Sequence, residues 1–223
     1  MVLLRVPALL LFWLLALPAG AETVTFASVE AGPVLVTPRG ERVRLEKLRT
    51  PDEPSILVIL TQTLTGRSFE IARHAPNRWG ETAATLQPDP RPEILQKGLA
   101  QLETEDSSLA PAEAAAMTAQ AGLWNLPCCR LLSADEASHR HDEWRIVRGK
   151  VVAVSLRAHA AYVNFGKDWK EDFTLSLSPA LARRLGAENW TEKTVLARGW
   201  LTLSGGGLIA VSNAAQIRLL PTP

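Results

Sequence analysis

Arg42-Val43-Arg44-Leu45-Glu46-Lys47-Leu48-Arg49-Thr50-Pro51-Asp52 is the most informative stretch of this 223-residue chain. Its first four residues alternate basic and apolar side chains, which predicts a β-strand with one buried face. The preceding segment, Pro38–Glu41, contains a proline and a glycine and predicts a turn. Before that turn lies the apolar run Val34–Val36. We therefore expect a strand, a turn and a second strand at this point of the chain.

Residues 22–127 make up the first of two predicted parts. The apolar run Ile56–Leu60 predicts either a buried strand or a short helix. Two strand-like runs, Ser68–Ala72 and Thr82–Leu86, flank a polar loop and predict a hairpin. The other predicted elements of this part are a strand at Thr23–Phe26 and helices at Pro92–Leu102 and Pro111–Ala121.

The second predicted part covers residues 144–223 and follows a charged segment, 128–143, that we interpret as a linker. Three strands, a helix and two strands in this order match a five-stranded barrel of the oligonucleotide/oligosaccharide-binding (OB) type. We therefore predict a mainly β, α+β chain with an OB-like second module. The predicted elements are strands at Ile146–Leu156, Ala161–Phe165, Phe173–Leu177, Thr194–Leu203 and Leu208–Leu219, with a helix at Pro179–Leu185.

Composition excludes several classes of protein. Hydrophobic residues are 47% of the chain and charged residues 21%, so the chain can bury a core and is not a disordered polymer. The 24 Lys and Arg residues against 23 Asp and Glu residues argue against a strongly basic protein that coats phosphates. Two cysteines are too few for a disulfide-built miniprotein or a four-cysteine zinc site.

The first 21 residues have the pattern of a secretory signal peptide. Arg5 is followed by the apolar run Val6–Leu17 and then by Pro18-Ala19-Gly20-Ala21. The alternative is a membrane anchor, but the apolar run is short for a bilayer span and is followed by a proline. We expect cleavage after Ala21, no stable membrane span afterwards, and a periplasmic or secreted protein.

The two cysteines, Cys128 and Cys129, are adjacent in the sequence. Neighbouring Cα atoms lie about 3.8 Å apart, closer than the roughly 5.5 Å that disulfides prefer. We interpret the pair as two thiols that fill a strand or loop. A redox switch or an intermolecular bridge are the alternatives in an oxidising compartment.

Three motifs of the first part, in order, resemble those of the thermonuclease (staphylococcal-nuclease-like) family. They are the opening stretch Arg42–Asp52, then Asn77-Arg78-Trp79-Gly80-Glu81, and finally Gly98-Leu99-Ala100 with Gly122-Leu123-Trp124. The second part resembles a C-terminal extension found on some exported bacterial members of that family. The resemblance implies an OB-type, five-stranded nuclease-like barrel with helices for residues 22–127.

The same resemblance implies that the family's catalytic chemistry is degenerate here. The family hydrolyses phosphodiesters with a calcium ion, which requires several oxygen ligands. Its two metal-binding aspartates fall on Pro33 and Arg49. Its catalytic glutamate falls on Asp52, one of its two arginines on Arg44 and the other on Glu81. We therefore expect Arg44 and Asp52 to be remnants of a catalytic site that holds no metal cofactor.

Two hypotheses for function follow from these substitutions. In the first, the protein is catalytically inactive and binds or scaffolds single-stranded nucleic acid or an envelope protein. In the second, it is an active nuclease whose calcium site is rebuilt from Asp52, Glu53 and Glu81 beside Arg44. The second hypothesis requires these three carboxylates to converge near the Arg44 guanidinium.

Three further groups of residues are candidate binding sites. Aromatic rings beside lysines predict a nucleic-acid-binding surface, although some of the rings are equally expected in the core. His139 and His141 have a spacing that suits zinc if the segment is a strand, and otherwise belong to the linker. The proposed nucleic-acid-binding residues are Tyr162, Lys167, Trp169 and Lys170, and the arginines that form a candidate basic surface are Arg67, Arg73, Arg78 and Arg91.

Overall fold

A computed structural model describes residues 22–140, 142–168 and 170–221 of the chain. The predicted signal peptide with its cleavage site, and also His141 and Trp169, lie outside the described residues. Within these ranges, no helix combines the length and the apolar character that a bilayer crossing requires.

The first half contains a six-stranded sheet in the order β1-β6-β7-β4-β3-β2. Only Phe26 and Ala27 separate β1 from β2, yet these two strands form opposite edges of the sheet. The sheet must therefore curl to bring both edges to the same segment of chain. Its elements are β1 Glu22–Thr25, β2 Ser28–Glu30, β3 Val34–Val36, β4 Arg42–Arg44, β5 Leu48–Arg49, α1 Pro54–Leu64, β6 Ser68–Pro76, β7 Thr82–Gln87, α2 Arg91–Gln96, β8 Gln101–Leu102, α3 Ala110–Thr118 and a 3₁₀ turn at Gly122–Asn125.

The second half contains an eight-stranded sheet in the order β11-β12-β13-β15-β14-β10-β9, in which β16 also pairs with β14. Here only Val151 and Val152 separate β10 from β11. The elements are β9 Leu132–Ser133, α4 Ala134–Ala137, β10 Glu143–Lys150, β11 Ala153–Leu156, β12 Ala161–Asn164, β13 Thr174–Leu177, α5 Pro179–Leu185, β14 Thr194–Ser204, β15 Gly206–Val211 and β16 Ile217–Leu220, with 3₁₀ turns at Ala187–Asn189 and Ala214–Gln216.

The two halves repeat one topology. Each half contains two consecutive strands that only two residues separate, β1 and β2 in the first half and β10 and β11 in the second. The second of these strands starts a three-strand meander. The last strand of the meander pairs in parallel with the second strand of a hairpin that comes later in the chain. These parallel pairs are β4 with β7 and β13 with β15. A helix, α1 or α5, connects the meander to the hairpin in both halves. The prediction of a mixed α+β, mostly β chain is confirmed, and both sheets are curled half-barrels.

The apolar run Ile56–Leu60 belongs to helix α1. Pro54 occupies the first turn, where a missing backbone N–H is tolerated, and the chain continues as a helix to Leu64. Ile56, Leu60 and Leu64 are buried, at the four-residue spacing that places side chains on one helical face. The structure thus selects the helical alternative, while the predicted hairpin is confirmed as β6 and β7.

Two strands predicted as continuous are interrupted. The predicted strand 146–156 breaks between β10 and β11, because β10 pairs with β14 whereas β11 pairs with β12. The predicted strand 208–219 breaks at a 3₁₀ turn in which Asn213 caps the backbone N–H of Ala215. The first break moves the chain from β14 to β12, whereas after the second break the chain pairs with another stretch of β14.

Part of residues 128–140 packs against the second sheet, which differs from the interpretation of 128–143 as a solvated linker. Strand β9 pairs in parallel with β10, and Leu132 and Ala137 are fully buried in the core of the second sheet. Ser133 and Glu136 form a capping box at the start of α4. The side chains of Cys128 and Cys129 are joined in a disulfide, which corrects their interpretation as two thiols.

The two halves share a core. Ile146 of β10 and Leu196 of β14 are buried in the same apolar cluster as the sheet and helices of the first half. Arg198 of β14 is also fully buried, where it contacts Glu113 of α3 and the carbonyl oxygen of Leu102 in β8. These contacts hold the end of β8 and the residues after it against the second sheet.

Candidate functional site

Arg44 lies at the end of β4 and faces carboxylates from two directions. Its Nη1 is 3.6 Å from a carboxylate oxygen of Glu81, and its Nη2 is 3.8 Å from one of Glu103. Glu81 precedes β7, the parallel neighbour of β4, and Glu103 follows β8. Arg44, which we predicted to be a remnant catalytic residue, is therefore paired within the protein.

Glu81 is the best-connected side chain of this centre. It is buried and receives hydrogen bonds from Arg42 Nη2 at 3.3 Å and from Asn77 Nδ2 at 3.0 Å. Asn77 also closes the β6–β7 turn, because its Oδ1 accepts hydrogen bonds from the backbone N–H groups of Trp79 and Glu81. The Glu81 carboxylate thus neutralises the charges of Arg42 and Arg44.

The three carboxylates of the rebuilt metal site do not converge at Arg44. Only Glu81 contacts this arginine, whereas Glu53 accepts a hydrogen bond from Ser55 and Asp52 is exposed. Across the described ranges, no three side chains of His, Cys, Asp or Glu are arranged to hold a metal ion. Pro33 and Arg49 offer no side-chain oxygen either, so the residues of this centre do not fit calcium.

Arg49 stacks against two tryptophans of the second half. Its guanidinium carbon is 5.2 Å from the ring centroid of Trp144 and 5.3 Å from that of Trp200. These tryptophans are directly opposed in register on β10 and β14. Burial lowers the pKa of Arg49, Glu103 opposes this shift, and the charge of Arg44 adds to it. Arg49, which the predicted resemblance aligns with a metal-binding carboxylate, is therefore a cation with aromatic neighbours.

Two cavities meet at the junction of the halves. One, of about 460 Å³, is lined by Arg44, and the other, of about 430 Å³, is lined by Trp144 and Trp200. Glu103 and Thr104 line both cavities. The two cavities therefore adjoin at these two residues, and together they are called the junction groove below; one is lined by the first half and the other by residues of both halves.

A third cavity, of about 410 Å³, lies on the second sheet and contains one predicted site residue, Tyr162. The phenol ring is exposed, and its cross-strand neighbours are Ser155 and Ser176. Asn164 and Thr174 hydrogen-bond to each other at 3.1 Å in the same cavity. We call this cavity the Tyr162 pocket; it is lined by Ser155, Arg157, Tyr162, Asn164, Thr174, Ser204 and Leu208.

Lys167 and Lys170 lie in the loop between β12 and β13 and are exposed. This loop abuts the β14–β15 turn, since a Cβ atom added to Gly205 would lie 2.3 Å from the carbonyl oxygen of Lys170. The turn begins after Ser204, which lines the Tyr162 pocket. The structure thus brings the loop of Lys167 and Lys170 to one end of the pocket. Trp169, the fourth predicted residue, lies outside the described ranges.

The other candidate groups do not form recognisable sites. His139 is exposed beyond α4, and its predicted partner His141 lies outside the described ranges. Most of the predicted basic surface is neutralised by carboxylates. Arg67 pairs with Glu93, Arg73 with Glu22 and Glu41, and Arg91 with Asp89, while Arg78 stacks on Trp79.

Sequence reasoning missed three residues that line these cavities. Trp200 was expected only as part of a strand, Trp144 only as the first residue of the second part, and Glu103 had no motif around it. The alternation Trp200-Leu201-Thr202 was a usable signal, because a tryptophan on the polar side of an alternating strand is expected to face solvent. That Trp144 lies opposite Trp200 depends on strand register.

No protein-family model and no curated protein matches this chain. The resemblance to thermonucleases therefore stays a prediction based on three motifs, and the function must be argued from the geometry.

Proposed function

We propose that this protein is an exported, non-hydrolytic binding protein for single-stranded nucleic acid, built from two OB-type barrels of which the first is thermonuclease-like. The repeated topology of the two half-barrels supports the OB assignment, because each pairs a three-strand meander in parallel with the last strand of a hairpin. OB barrels bind oligonucleotides on the sheet face around their second and third strands. In the second half these strands are β12 and β13.

The observation that carries this proposal is the Tyr162 pocket. An exposed tyrosine on β12 offers a flat surface on which a base stacks, worth about 1–3 kcal/mol per base. Arg157, in the loop after β11, supplies a cation for a phosphate at the same pocket. The amide of Asn164 and the hydroxyls of Ser155 and Ser204 provide hydrogen-bonding groups for base or sugar.

The charge arrangement at Arg44 explains why we propose binding without hydrolysis. Metal-assisted hydrolysis needs a cation held by oxygen ligands beside the phosphate. Here Glu81 is already shared among Arg42, Arg44 and Asn77, and Arg49 adds a positive charge to the same region. A like charge at about 4 Å costs on the order of 4 kcal/mol at an effective dielectric near 20, so divalent binding is disfavoured.

The test is a binding measurement on the mature protein with fluorescent oligothymidylate, in parallel with a cleavage assay in calcium. We expect binding without cleavage, and Tyr162→Ala should weaken binding by about 5-fold to 150-fold, the equivalent of one stacked base. Tyr162→Phe should retain most of the affinity because the ring remains. Leu156→Ala is the matched control, because Leu156 is an exposed apolar residue of β11 that does not line the pocket.

Two outcomes would overturn the proposal. The absence of oligothymidylate binding, or binding that Tyr162→Ala leaves unchanged, would remove the role of the pocket. Cleavage that requires calcium and stops on addition of a chelator would instead favour the active nuclease with a rebuilt site. Mass analysis of the exported protein tests the predicted cleavage of the signal peptide, since we expect the mature chain to begin at Glu22.

A further inference from the structure

We infer that the junction groove is a second contact site for the same nucleic-acid strand, and that Arg49 and Trp200 bind there a phosphate and a base. The inference rests on the proposed function and extends it, because it assigns a path across both halves of the protein. Its basis is the row of residues on β14 that connects the junction groove to the Tyr162 pocket.

The outward face of β14 links the two cavities. Residues two apart on a strand point to the same side, so Trp200, Thr202 and Ser204 share one face. All three are exposed, whereas Leu201 between them is fully buried. Trp200 and Thr202 line the junction groove, and Ser204 lines the Tyr162 pocket. At about 3.3 Å per residue, the row spans roughly 13 Å.

The neighbouring strand β15 continues the same surface. Leu208 lies opposite Thr202 in register and lines the Tyr162 pocket, while Ala210, two residues further, lines the junction groove. The Thr202 hydroxyl donates to the carbonyl oxygen of Leu208 at 3.2 Å. A continuous sheet surface with small side chains therefore connects the two cavities.

Arg49 lines neither cavity itself, but its guanidinium contacts Trp144 and Trp200, which line the groove, and its charge suits an anion bound beside these rings. Among the residues the structure describes, its guanidinium makes no ion pair and no hydrogen bond, and its contacts are with the rings of Trp144 and Trp200. Glu103, the nearest source of negative charge, is instead within ion-pair distance of Arg44. The guanidinium N–H groups of Arg49 thus have no partner among the described residues, and a planar guanidinium edge matches two phosphate oxygens.

Trp200 supplies the stacking surface beside that cation. Its side chain is 57% exposed, among the highest values for large apolar residues in the described ranges. An indole next to an arginine offers both a face for a base and a charge for the adjoining phosphate. The groove also contains the carboxylate of Glu103, which repels an anion more strongly when the anion carries more charge. A monoanionic phosphodiester therefore suits this groove better than a dianion does. These features favour a nucleic-acid strand over a free phosphate.

The experiment compares short and long strands on the intact mature protein. Oligothymidylates of about 4 and about 12 nucleotides are used, since one OB barrel covers at least about 4. In the wild-type protein we expect the longer strand to bind more tightly, by about tenfold or more for an additional stacked base and phosphate contact. In Arg49→Gln and Trp200→Ala this gain should be lost, while binding of the short strand stays as in the wild type.

Matched controls separate a specific effect from a general one. Arg184→Gln removes an exposed arginine of α5, and Leu203→Ala removes an exposed apolar residue of β14, and neither lines a cavity described above. Both controls should retain the length-dependent gain. Arg49→Gln should also reduce the slope of log affinity against log salt by about 0.7, the value for one phosphate contact on a single strand. If Arg49→Gln fails to fold, Trp200→Ala alone carries the test because its side chain is exposed.

The outcomes distinguish this inference from the proposed function. If the long strand binds with the same gain in Trp200→Ala as in the wild type, the second contact site is wrong while the Tyr162 pocket stands. If no strand binds at all, both proposals fall. Polyglutamate is added as a competitor of the long strand. If Arg49→Gln abolishes this competition and Trp200→Ala leaves it unchanged, the groove binds an acidic peptide and the inference is overturned.

Discussion

The guanidinium of Arg198 donates to both carboxylate oxygens of Glu113, at 3.2 and 3.0 Å, and neither side chain is exposed to solvent. Glu113 also accepts a hydrogen bond from the backbone N–H of Leu102 at 2.7 Å. Glu105 contacts both Arg198 and Arg218. One buried ion cluster therefore joins α3 and the segment after β8 to the second sheet, which holds the wall of the junction groove in place.

Removal of one partner of this pair should destabilise the whole protein. Glu113→Ala removes a carboxylate that neutralises the buried Arg198 guanidinium. Removal of one partner of a buried ion pair lowers the free energy of unfolding by about 3–5 kcal/mol. We expect urea unfolding monitored by tryptophan fluorescence to show this loss in a single transition, because the halves share one core.

Two comparison variants test whether the loss of stability comes from the buried charge. Lys97→Gln removes an exposed ion pair with Glu93 and should cost less than about 1 kcal/mol. The double change Arg198→Met with Glu113→Leu should cost less than the sum of the single changes, because both charges of the fully buried pair are removed together and Glu105 keeps Arg218 as a partner. A Glu113→Ala protein as stable as Lys97→Gln would contradict the prediction.

Acid should weaken the contact between Arg130 and Glu136. The hydrogen bond from Arg130, with a further one from the backbone N–H of Ser133, lowers the pKa of Glu136 to about 2. A lowered pKa contributes stability at pH values above the usual 4.5, and that contribution is lost as the pH falls towards 2. The side chains are 39% and 41% exposed, so water screens the pair and the effect is small.

Thermal unfolding at a series of pH values measures this contribution. Glu136→Gln should lower the midpoint at neutral pH and should reduce its dependence on pH between 4.5 and 2. The control is Glu188→Gln, because Glu188 is exposed and has no ion pair among the described residues. Identical pH profiles for the wild type and Glu136→Gln would disprove the role of the pair.

Gly98 should not tolerate a side chain. Its φ of +65° lies in the left-handed region, and an added Cβ atom would lie 2.1 Å from the carbonyl oxygen of Ala121. Gly66 has a similar φ of +76° but no atom within 4 Å of an added Cβ, so Gly66→Ala should cost only about 1–2 kcal/mol. Gly98→Ala should cost more than this, because the chain segments must also separate. Equal losses of stability in denaturant would refute the steric argument.

Calcium should not stabilise the protein. A ligand at 100 times its dissociation constant would add about 2.7 kcal/mol of stability, which is readily measured as a rise in the thermal midpoint. Because Pro33 offers no side-chain oxygen and Arg49 is cationic, we expect the midpoint to be the same in calcium and in a chelator. A rise in calcium that the chelator reverses would show that acidic groups elsewhere form a site.

Local signals in the sequence were sufficient for several elements. The β6–β7 hairpin and the end of α5 at Gly186 were predicted because alternation, proline and glycine act over a few residues. The break between β10 and β11 was not predictable in this way. Val151 and Val152 lead directly into the apolar residues Ala153 and Val154, and the chain changes partner there only because the sheet curls.

The candidate sites show the same division. Tyr162 was recognised from a ring beside cations, and the structure places it on a pocket with Arg157. The alternative metal site required Asp52, Glu53 and Glu81 to converge, and proximity in sequence gave no information about whether they do. Trp200 could be identified as a candidate site residue only from the structure, in which β14 pairs with β10 and the Trp200 ring lies beside Arg49.

The sequence by itself determined which chemical groups are present at each position: a proline at 33, a guanidinium at 49, and alternating residues that form strands. The tertiary structure alone decided that Arg49, Trp144 and Trp200 meet, because they come from β5, β10 and β14, whose positions depend on long-range pairing and on a shared core. Side-chain chemistry is local, but its arrangement in space depends on contacts between residues far apart in the chain.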